Sequence, residues 1–305
     1  MKVSSVWVPR SCPNCGAEDL LNPEVNSALP AEFQDWETVR DYFIGIRPGQ
    51  VFFSYYRCQQ CNLLYCPWYF TDNQLDQLYA EMPDNLLGAE KSTALRTQSG
   101  YVDWFSKFIK NVNSYLELGP DIGLVTGEIS KRYDPRRFTL IEPNNLVHQQ
   151  LQDSVRNQQT TIIASDLMSL QLEGVDLSIG VHVFDHLINP RAQIRKLHQI
   201  SVPNALLGVV VHNEKSLLRK ILGKKWPPFC LQHPQLFNKE SLTRIFDAEG
   251  WELVANARSV NHFRLNHIGP MAISLLRLPK WLGKLFPNLQ VPIPLGNMIS
   301  IYRKK

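Results

Sequence analysis

Residues 114–123 read Ser114-Tyr-Leu-Glu-Leu-Gly119-Pro-Asp-Ile-Gly123, an apolar run that ends in a glycine-containing loop. The apolar run predicts a short buried strand, 114–119, and the pattern that follows the loop predicts a helix, 122–133. Glycine allows the backbone conformations that a sharp turn between strand and helix requires. This stretch therefore predicts a strand, a tight loop and a helix in direct succession.

The same alternation of strands and helices continues along the chain. Further strands are predicted at 138–142, 160–164, 175–181, 205–212 and 251–259. The helices predicted between them cover 145–157, 190–200 and 239–250. The strands are continuous apolar runs, which is typical of a parallel sheet covered by helices on both faces. The predicted fold class is α/β.

Several of these strands end next to residues that can bind a ligand. The residues in question are Glu117, Gly119, Glu142, Asp166 and His182. Open parallel sheets bind ligands at the carboxyl ends of their strands, where the strand order reverses. We therefore expect these residues to line a common site at one edge of the sheet.

Residues 116–123 resemble the glycine-rich loop of class I S-adenosylmethionine (SAM)-dependent methyltransferases. The resemblance implies a Rossmann-like sheet of seven strands, with SAM as the cofactor. It also implies that Glu142 binds the ribose hydroxyls, since a carboxylate accepts both protons, and that Asp166 and Leu167 meet the adenine. The cofactor-binding residues that it predicts are Glu117, Gly119, Asp121, Gly123, Glu142, Asp166, Leu167 and His182.

Asp121 is a departure from this family's loop, which usually has a third glycine at that position. An aspartate there could crowd the methionine part of SAM or bind its ammonium group. It could also cap the helix that follows. The sequence leaves these alternatives open.

Two later segments also resemble this family, 181–190 after the fourth strand and 231–242 before the last helix. They predict His186 and His233 as candidate general bases. His186 could instead orient its loop, and His233 could pack against a neighbouring aromatic ring. Gln232 stands where sugar C-methyltransferases tend to have Glu. Because a carboxylate partner strengthens a histidine base, its loss favours O-methylation over C-methylation.

Two Cys-x-x-Cys pairs stand in the N-terminal part of the chain. The predicted metal ligands are Cys12, Cys15, Cys58 and Cys61. Two intervening residues let both thiolates of a pair reach one ion, and the Gly or Asn after each pair suits the positive φ of such a turn. Four thiolates satisfy tetrahedral zinc and predict a closed, structural Zn²⁺ site. Cys66 and Cys230 are predicted to be core residues.

A zinc-binding N-terminus followed by this core is similar to zinc-containing methyltransferases of nucleotide-sugar and glycan pathways. The implied activity is methyl transfer from SAM to a sugar or glycan acceptor. The predicted division of the chain is a small zinc ribbon at 1–70, a helical linker at 71–110 and the methyltransferase domain at 111–305.

Composition places limits on the class of protein. The chain has 305 residues, of which 44% are hydrophobic and 20% charged, and this balance is typical of a globular protein. The N-terminus has no apolar core of signal-peptide length, and no apolar run approaches the length of a membrane span. We therefore expect a cytoplasmic protein whose cysteines bind metal rather than form disulfides.

Two basic and apolar segments, 214–226 and 264–291, are predicted as amphipathic insertions in the methyltransferase domain. No Asp or Glu follows position 253, so the second insertion carries only positive charge. Lys and Arg interleaved with Leu and Trp suit a phosphate-bearing acceptor or peripheral contact with a membrane surface. The alternative is a pair of lid helices that pack on the core with solvated lysines.

Two other functions remain open at this level. A catalytically degenerate methyltransferase fold could act as a binding or scaffold protein, and an RNA methyltransferase could use the basic C-terminal region. Nucleic acid is nevertheless an unlikely partner for the N-terminal part, whose many acidic residues disfavour phosphate binding. An NAD-dependent enzyme is disfavoured because 119–123 does not give the G-x-G-x-x-G pattern.

Overall fold

The computed structural model describes residues 7–29, 33–43, 51–80, 91–155, 160–275 and 278–305. The strands are β1 (Val8–Pro9), β2 (Tyr56–Arg57), β3 (Leu64–Tyr65), β4 (Trp68–Tyr69), β5 (Ser114–Leu118), β6 (Arg137–Ile141), β7 (Thr160–Ala164), β8 (Val175–Val181), β9 (Ser201–His212), β10 (Gln235–Leu236), β11 (Trp251–Arg258), β12 (Asn261–Arg264), β13 (Gln290–Ile293) and β14 (Asn297–Lys304). The helices are α1 (Trp36–Arg40), α2 (Asp72–Ala80), α3 (Lys91–Phe105), α4 (Leu124–Tyr133), α5 (His148–Ser154), α6 (Pro190–Ile200), α7 (Leu217–Leu222), α8 (Lys239–Ala248) and α9 (Leu265–Leu275). Short 3-10 helices occupy Asn145–Val147, Gly223–Lys225 and Lys280–Leu285.

The central sheet has seven strands in the order β7–β6–β5–β8–β9–β14–β11. Strands β5 to β9 are parallel, and β14 runs antiparallel to both of its neighbours. The chain moves outward from β5 to β7 in one direction and then returns to place β8 on the other side of β5. This reversal creates a switch point between β5 and β8. The predicted α/β class and seven-stranded sheet are confirmed.

Helices cover both faces of this sheet. On one face, α6 and α8 pack against the strands with buried residues such as Leu197 and Phe246. On the other face, α3 and α4 contribute Phe105 and Ile129 to a separate buried cluster. Burial on both sides explains why the central strands are continuously apolar rather than alternating.

The N-terminal part joins the part that carries the seven-stranded sheet through a shared small sheet. Strand β3 pairs with β2 on one side and with β10 on the other, although β10 lies about 170 positions later in the chain. A buried cluster that includes Trp7, Phe53 and Phe70 continues across this boundary to Trp226 and Phe229. The two parts therefore share both hydrogen bonds and a core. The division at 70 and 110 stays a prediction.

A buried ion pair reinforces this junction. Arg57 of β2 donates to both carboxylate oxygens of Glu214, at 2.6 and 3.0 Å, and the Glu214 side chain is fully buried. Asn238 donates to the same carboxylate at 2.8 Å. A buried carboxylate is tolerated when its oxygens are paired in this bidentate way.

The two predicted insertions take different forms. The first contains α7 and one 3-10 turn, with Leu218 and Leu222 packed on the core and Leu217 and Ile221 exposed. The second contains α9 and a 3-10 helix between the paired strands β12 and β13; positions 276–277 lie outside the described residues. Among the described residues, no helix combines the length and apolar character that crossing a membrane requires.

Candidate active site and metal centre

The four predicted metal ligands come together in one cluster. The sulfur atoms of Cys12, Cys15, Cys58 and Cys61 all lie within 4.8 Å of one another. The Sγ atoms of Cys12 and Cys61 are 3.4 Å apart, and those of Cys15 and Cys58 are 3.5 Å apart. Zinc–sulfur bonds of about 2.3 Å place tetrahedral sulfurs about 3.8 Å apart. The cluster therefore fits a zinc ion with four thiolate ligands.

Tight backbone turns build this cluster. Gly16 donates its N–H to the Cys12 carbonyl, and Asn62 donates to the Cys58 carbonyl. Gly16 has φ +77° and Asn62 has φ +63°, so both turns end in the left-handed region that the sequence predicts there. The contact between the Cys12 and Cys61 thiols lowers the pKa of Cys12 and raises the pKa of Cys61, because one thiol of the pair donates a hydrogen bond to the other.

Both cysteine turns dock on α8 of the central domain. Asn14 donates to the Ser241 carbonyl at 2.9 Å, and Asn62 donates to the Glu240 carboxylate at 2.7 Å. Arg244 donates in the opposite direction to the Gln60 carbonyl at 2.7 Å. The cysteine cluster thus anchors the N-terminal part on a helix of the central domain.

The predicted cofactor loop connects β5 to α4 with three left-handed residues. Gly119, Asp121 and Gly123 have φ values of +59°, +52° and +76°. A Cβ on Gly119 would lie 2.5 Å from a methyl group of Val183, in the loop after β8. The backbone conformation explains why glycine suits the Asp121 position in the family. Gly123 is the N-cap of α4.

Glu142 follows β6 and holds the cofactor loop. Its two carboxylate oxygens accept the N–H groups of Asp121 and Asn144, each at 2.9 Å. Burial raises the pKa of Glu142, while these two hydrogen bonds oppose the rise. A carboxylate oxygen accepts more than one hydrogen bond, so the side chain retains capacity for the two hydroxyls of a ribose.

Glu117 lies beneath the loop with 2% of its surface exposed. One of its oxygens accepts hydrogen bonds from the hydroxyls of Tyr115 and Thr126, both at 2.6 Å. Burial raises the pKa of Glu117 to about 7, against the opposing effect of these hydroxyls. These contacts connect β5 to α4, so the observed bonds support the loop from below.

Asp166 and Leu167 stand just beyond β7, at the far side of the loop. The Asp166 carboxylate accepts the N–H groups of Met168 and Ser169, each at 3.0 Å. Asp166 is exposed, whereas Leu167 is 1% exposed. The structure places both residues at the carboxyl edge of the sheet, beside Glu142, whose N–H donates to the Ala164 carbonyl.

A cluster of four histidines lies on the other side of the switch point. His182 and His186 belong to the loop after β8, His212 ends β9, and His233 precedes β10. The rings of His182 and His212 stack with centroids 4.6 Å apart. His212 also lies 4.9 Å from His233, and His186 lies 4.7 Å from His233. The structure therefore brings both predicted catalytic residues together with His182.

Burial keeps these imidazoles neutral. Burial lowers the pKa of His182 to about 4, with a further decrease from His233, and it lowers the pKa of His186 and His212 well below the usual value. It also lowers the pKa of His233, although the nearby Asp185 carboxylate opposes that effect. Neutral imidazoles at physiological pH can accept a proton or bind a metal ion.

The N-terminal part positions both candidate bases. Tyr55 donates its hydroxyl to the His233 carbonyl at 2.7 Å. Gln235 of β10 donates to the carbonyls of Phe184 and Leu187, which flank His186 in the loop after β8. Because β10 pairs with β3, the N-terminal part holds the backbone at both histidines.

The sequence analysis missed two residues of this site. His212 had been treated only as the end of a strand, and Tyr79 of α2 had no predicted role. The Tyr79 hydroxyl lies 3.5 Å from Nδ1 of His186. A histidine at the carboxyl end of a parallel strand is a signal that could have found His212. No local pattern marks Tyr79, which reaches the site only through the tertiary fold.

Comparisons with known proteins bear on this arrangement. Residues 92–256, more than half of the chain, match the family described as "Methyltransferase domain". Among curated proteins, none matches this sequence at a significant level.

Solved structures share the fold at low sequence identity. A chain from the complex between the Haloferax volcanii Trm112 methyltransferase activator and a methyltransferase is 11% identical, with a TM-score of 0.54, over 73% of this chain and 99% of that chain. The N-methyltransferase NodS from Bradyrhizobium japonicum WM9, in complex with S-adenosyl-L-homocysteine, is 12% identical with a TM-score of 0.49, over 76% and 97% of the two chains. Because the matched family covers more than half of the sequence, the chain belongs to the methyltransferase domain family and is a SAM-dependent methyltransferase.

Proposed function

We propose that this chain is a cytoplasmic enzyme that transfers the methyl group of SAM to a hydroxyl of a phosphate-bearing sugar or glycan. The observation that carries the proposal is the pair of neutral histidines next to the cofactor loop, the half-buried His186 and the buried His233. A hydroxyl needs a positioned base before it attacks the methyl group. The approach of Gly119 to Val183 puts the loop that bears His186 directly beside the glycine-rich loop, and the His186 ring contacts His233.

The cofactor occupies the edge of the sheet between the loops after β5, β6 and β7 in this proposal. Glu142 binds the ribose hydroxyls, and Asp166 with Leu167 meets the adenine. Glu117, Gly119, Asp121 and Gly123 shape the loop around the methionine part, and His182 closes the site from the β8 side. SAM supplies an activated methyl group, so the protein mainly has to align acceptor and methyl.

A chain of hydrogen bonds gives the histidine pair a direction for proton transfer. His233 donates from Nδ1 to the Pro228 carbonyl at 2.7 Å. Its Nε2 therefore carries the lone pair and accepts a hydrogen bond from Nε2 of His186, which lies 3.1 Å away. The Tyr79 hydroxyl in turn stands at Nδ1 of His186. A proton taken up at the Tyr79 end can therefore reach His233, where the Asp185 carboxylate opposes the decrease in pKa that burial causes.

This arrangement supports O-methylation over C-methylation. The partner of His233 Nδ1 is a backbone carbonyl rather than a carboxylate, so the base is weaker than a His–Glu pair. Removing a proton from a hydroxyl requires less basicity than forming a carbanion. Methyl transfer then forms an O–CH₃ bond, breaks the S–CH₃ bond and releases S-adenosylhomocysteine.

The two basic insertions support an anionic acceptor. The Gly296 position, where the chain enters β14, packs against Ser216, the N-cap of α7. The segments that flank the two insertions therefore meet at the carboxyl end of β9, beside the histidine cluster. The first insertion exposes four lysines, which are Lys215, Lys220, Lys224 and Lys225. We propose that this rim attracts the phosphate of a nucleotide sugar or of a polyprenyl-linked glycan at a membrane surface.

Calorimetric titration with SAM and S-adenosylhomocysteine, on the wild-type protein and on Glu142→Ala, tests the cofactor site. We expect micromolar binding that the substitution abolishes. Glu128→Ala on α4 is the matched control, since this carboxylate forms ion pairs with Lys131 and Arg132 at the surface. Absence of binding in the wild type would instead favour a scaffold role. Methyl-transfer assays with nucleotide sugars, and with RNA as the competing acceptor class, then test the acceptor.

A further inference from the structure

The histidine cluster contains a group of potential metal ligands that is separate from the four cysteines. One ring nitrogen each from His182 and His212 and one oxygen of Asp185 lie within 4.8 Å of one another. These residues come from the loop after β8 and from the last position of β9. They therefore stand at the carboxyl edge of the sheet, where the proposed acceptor site lies.

The hydrogen bonding of Asp185 is the observation that most favours a bound ion at this position. The residue is 0% exposed. Its Oδ2 accepts the N–H of His212 at 3.0 Å, whereas its Oδ1 has no hydrogen-bond partner within the described part of the chain. A buried carboxylate oxygen without a partner is costly unless a cation or donor compensates it. Across the described ranges, Nδ1 of His182 is also buried without a partner, and Nε2 of that ring has a long contact of 3.4 Å with Nδ2 of Asn297, which an ion bound to this nitrogen would replace.

A supporting contact orients one of the two imidazoles. Nδ1 of His212 lies 2.8 Å from Oδ1 of Asn297, which is 6% exposed. Since an amide oxygen only accepts, this bond puts the proton on Nδ1 and leaves the lone pair on Nε2. Histidine ligands of metals are commonly held by such a second hydrogen bond, which fixes their tautomer.

We propose that His182, Asp185 and His212 bind one divalent transition-metal ion, in addition to the structural zinc held by the cysteines. Two imidazoles and one carboxylate are a donor set suited to Zn²⁺, Fe²⁺ or Co²⁺, and three protein ligands leave coordination positions open. The His182 ring gains this role besides its predicted contact with SAM.

The catalytic consequence of this metal rests on the proposed function. A cation at this position would contact the acceptor hydroxyl and lower its pKa. The hydroxyl proton passes to the His186–His233 pair, the oxygen forms the bond to the methyl carbon, and the sulfonium loses the methyl group to become a neutral thioether. No oxidant or reductant is needed for this balance.

Metal analysis of untagged protein tests the binding site independently of activity. We expect two zinc ions per chain in the wild type after loading and dialysis, and one in His182→Gln and in His212→Gln. Asp185→Asn retains an oxygen for the His212 N–H and should also lose the second ion. His267→Gln, an exposed histidine of α9, should retain both ions. Circular dichroism checks that each variant is folded.

Cobalt spectroscopy locates the second ion. Co²⁺ added to protein whose cysteine site already holds zinc should give ligand-field bands without thiolate charge-transfer bands. One metal ion per chain in the wild type, or a second ion that survives both histidine substitutions, would overturn the proposal. Failure of the methyl-transfer assay leaves the metal count unaffected, so this proposal and the proposed function fail separately.

Discussion

Nε2 of His233 lies 3.1 Å from Nε2 of His186, although the two residues are 47 positions apart in the sequence. One of the two rings must donate a proton and the other must accept it. The contact therefore joins the loop after β8 to the loop before β10 in a single proton-transfer unit.

We predict that His186→Gln and His233→Gln each lower kcat by about 100-fold to 10,000-fold, the usual contribution of a general base. SAM affinity should stay within a few-fold of the wild type, since neither ring belongs to the cofactor loop. The double variant should be little worse than either single variant, because both act as one unit. His198→Gln on α6 is the control and should retain activity. Additive losses in the double variant would show that the two histidines act independently.

Gly119→Ala should impair both folding and cofactor binding. The new Cβ would lie 2.5 Å from Cγ2 of Val183, and the backbone there has φ +59°. We expect a loss of about 2–3 kcal/mol in unfolding free energy and SAM binding at least 10-fold weaker. Val183→Ala should partly rescue the variant by removing the clash. Gly100→Ala, in α3 with open space around the new methyl group, should stabilise the protein slightly. A Gly119→Ala protein with wild-type stability would contradict the close approach.

Loss of the cysteine site should affect catalysis as well as stability. Cys58→Ser should lower the zinc content by one ion per chain and reduce the melting temperature, because the metal closes both cysteine turns. It should also lower kcat, since Tyr55 and Gln235 transmit the position of this region to the loops of His233 and His186. Cys66→Ala is the control, because Cys66 is buried outside the cluster. This variant should keep the wild-type zinc content, although the loss of a buried side chain should lower its stability.

The burial of Glu117 predicts a pH-dependent stability. Its folded-state pKa of about 7 lies above the ordinary value near 4.5, so the folded state binds more protons between those values. The resulting stability is fully present below pH 4.5 and is lost as the pH rises through 7. Between pH 6 and pH 8.5, the unfolding free energy of Glu117→Gln should fall by about 1 kcal/mol less than that of the wild type. Urea denaturation at both pH values measures it, with the exposed Glu252→Gln as control. Equal declines in wild type and Glu117→Gln would show that this carboxyl is ionised throughout.

The exposed apolar side chains of α7 predict binding to an anionic surface. Leu217 and Ile221 are 72% and 68% exposed, and lysines flank them. The double substitution Leu217→Ser/Ile221→Ser should weaken sedimentation with phosphatidylserine-containing vesicles by about 10-fold or more, and high salt should weaken it further. Leu21→Ser, at a site of similar exposure in the N-terminal part, should have no effect. If the wild-type protein does not sediment with the vesicles, the alternative of two lid helices that pack on the core is favoured instead.

Local patterns in the sequence determined the features that depend on neighbours in the chain. The apolar runs predicted the strands of the α/β sheet, because burial on both faces excludes polar residues from them. The cysteine spacing with Gly16 and Asn62 predicted both turns, since two close thiols and a left-handed residue are enough to form them. The ends of the predicted strands likewise identified the acidic and glycine residues around 117–142 as candidate ligand-binding residues.

Only the tertiary structure decided which distant groups meet. The pairing of β3 with β10, the hydrogen bonds of Gln235 to the His186 loop, and the grouping of Asp185 with His212 all join segments that no local periodicity connects. Similarly, the predicted amphipathic insertion at 214–226 contains the short α7, whose Leu218 and Leu222 pack against an aromatic cluster from another part of the chain. Local periodicity reflects the geometry of single helices and strands, whereas contacts between distant segments depend on how the whole chain buries its apolar surface.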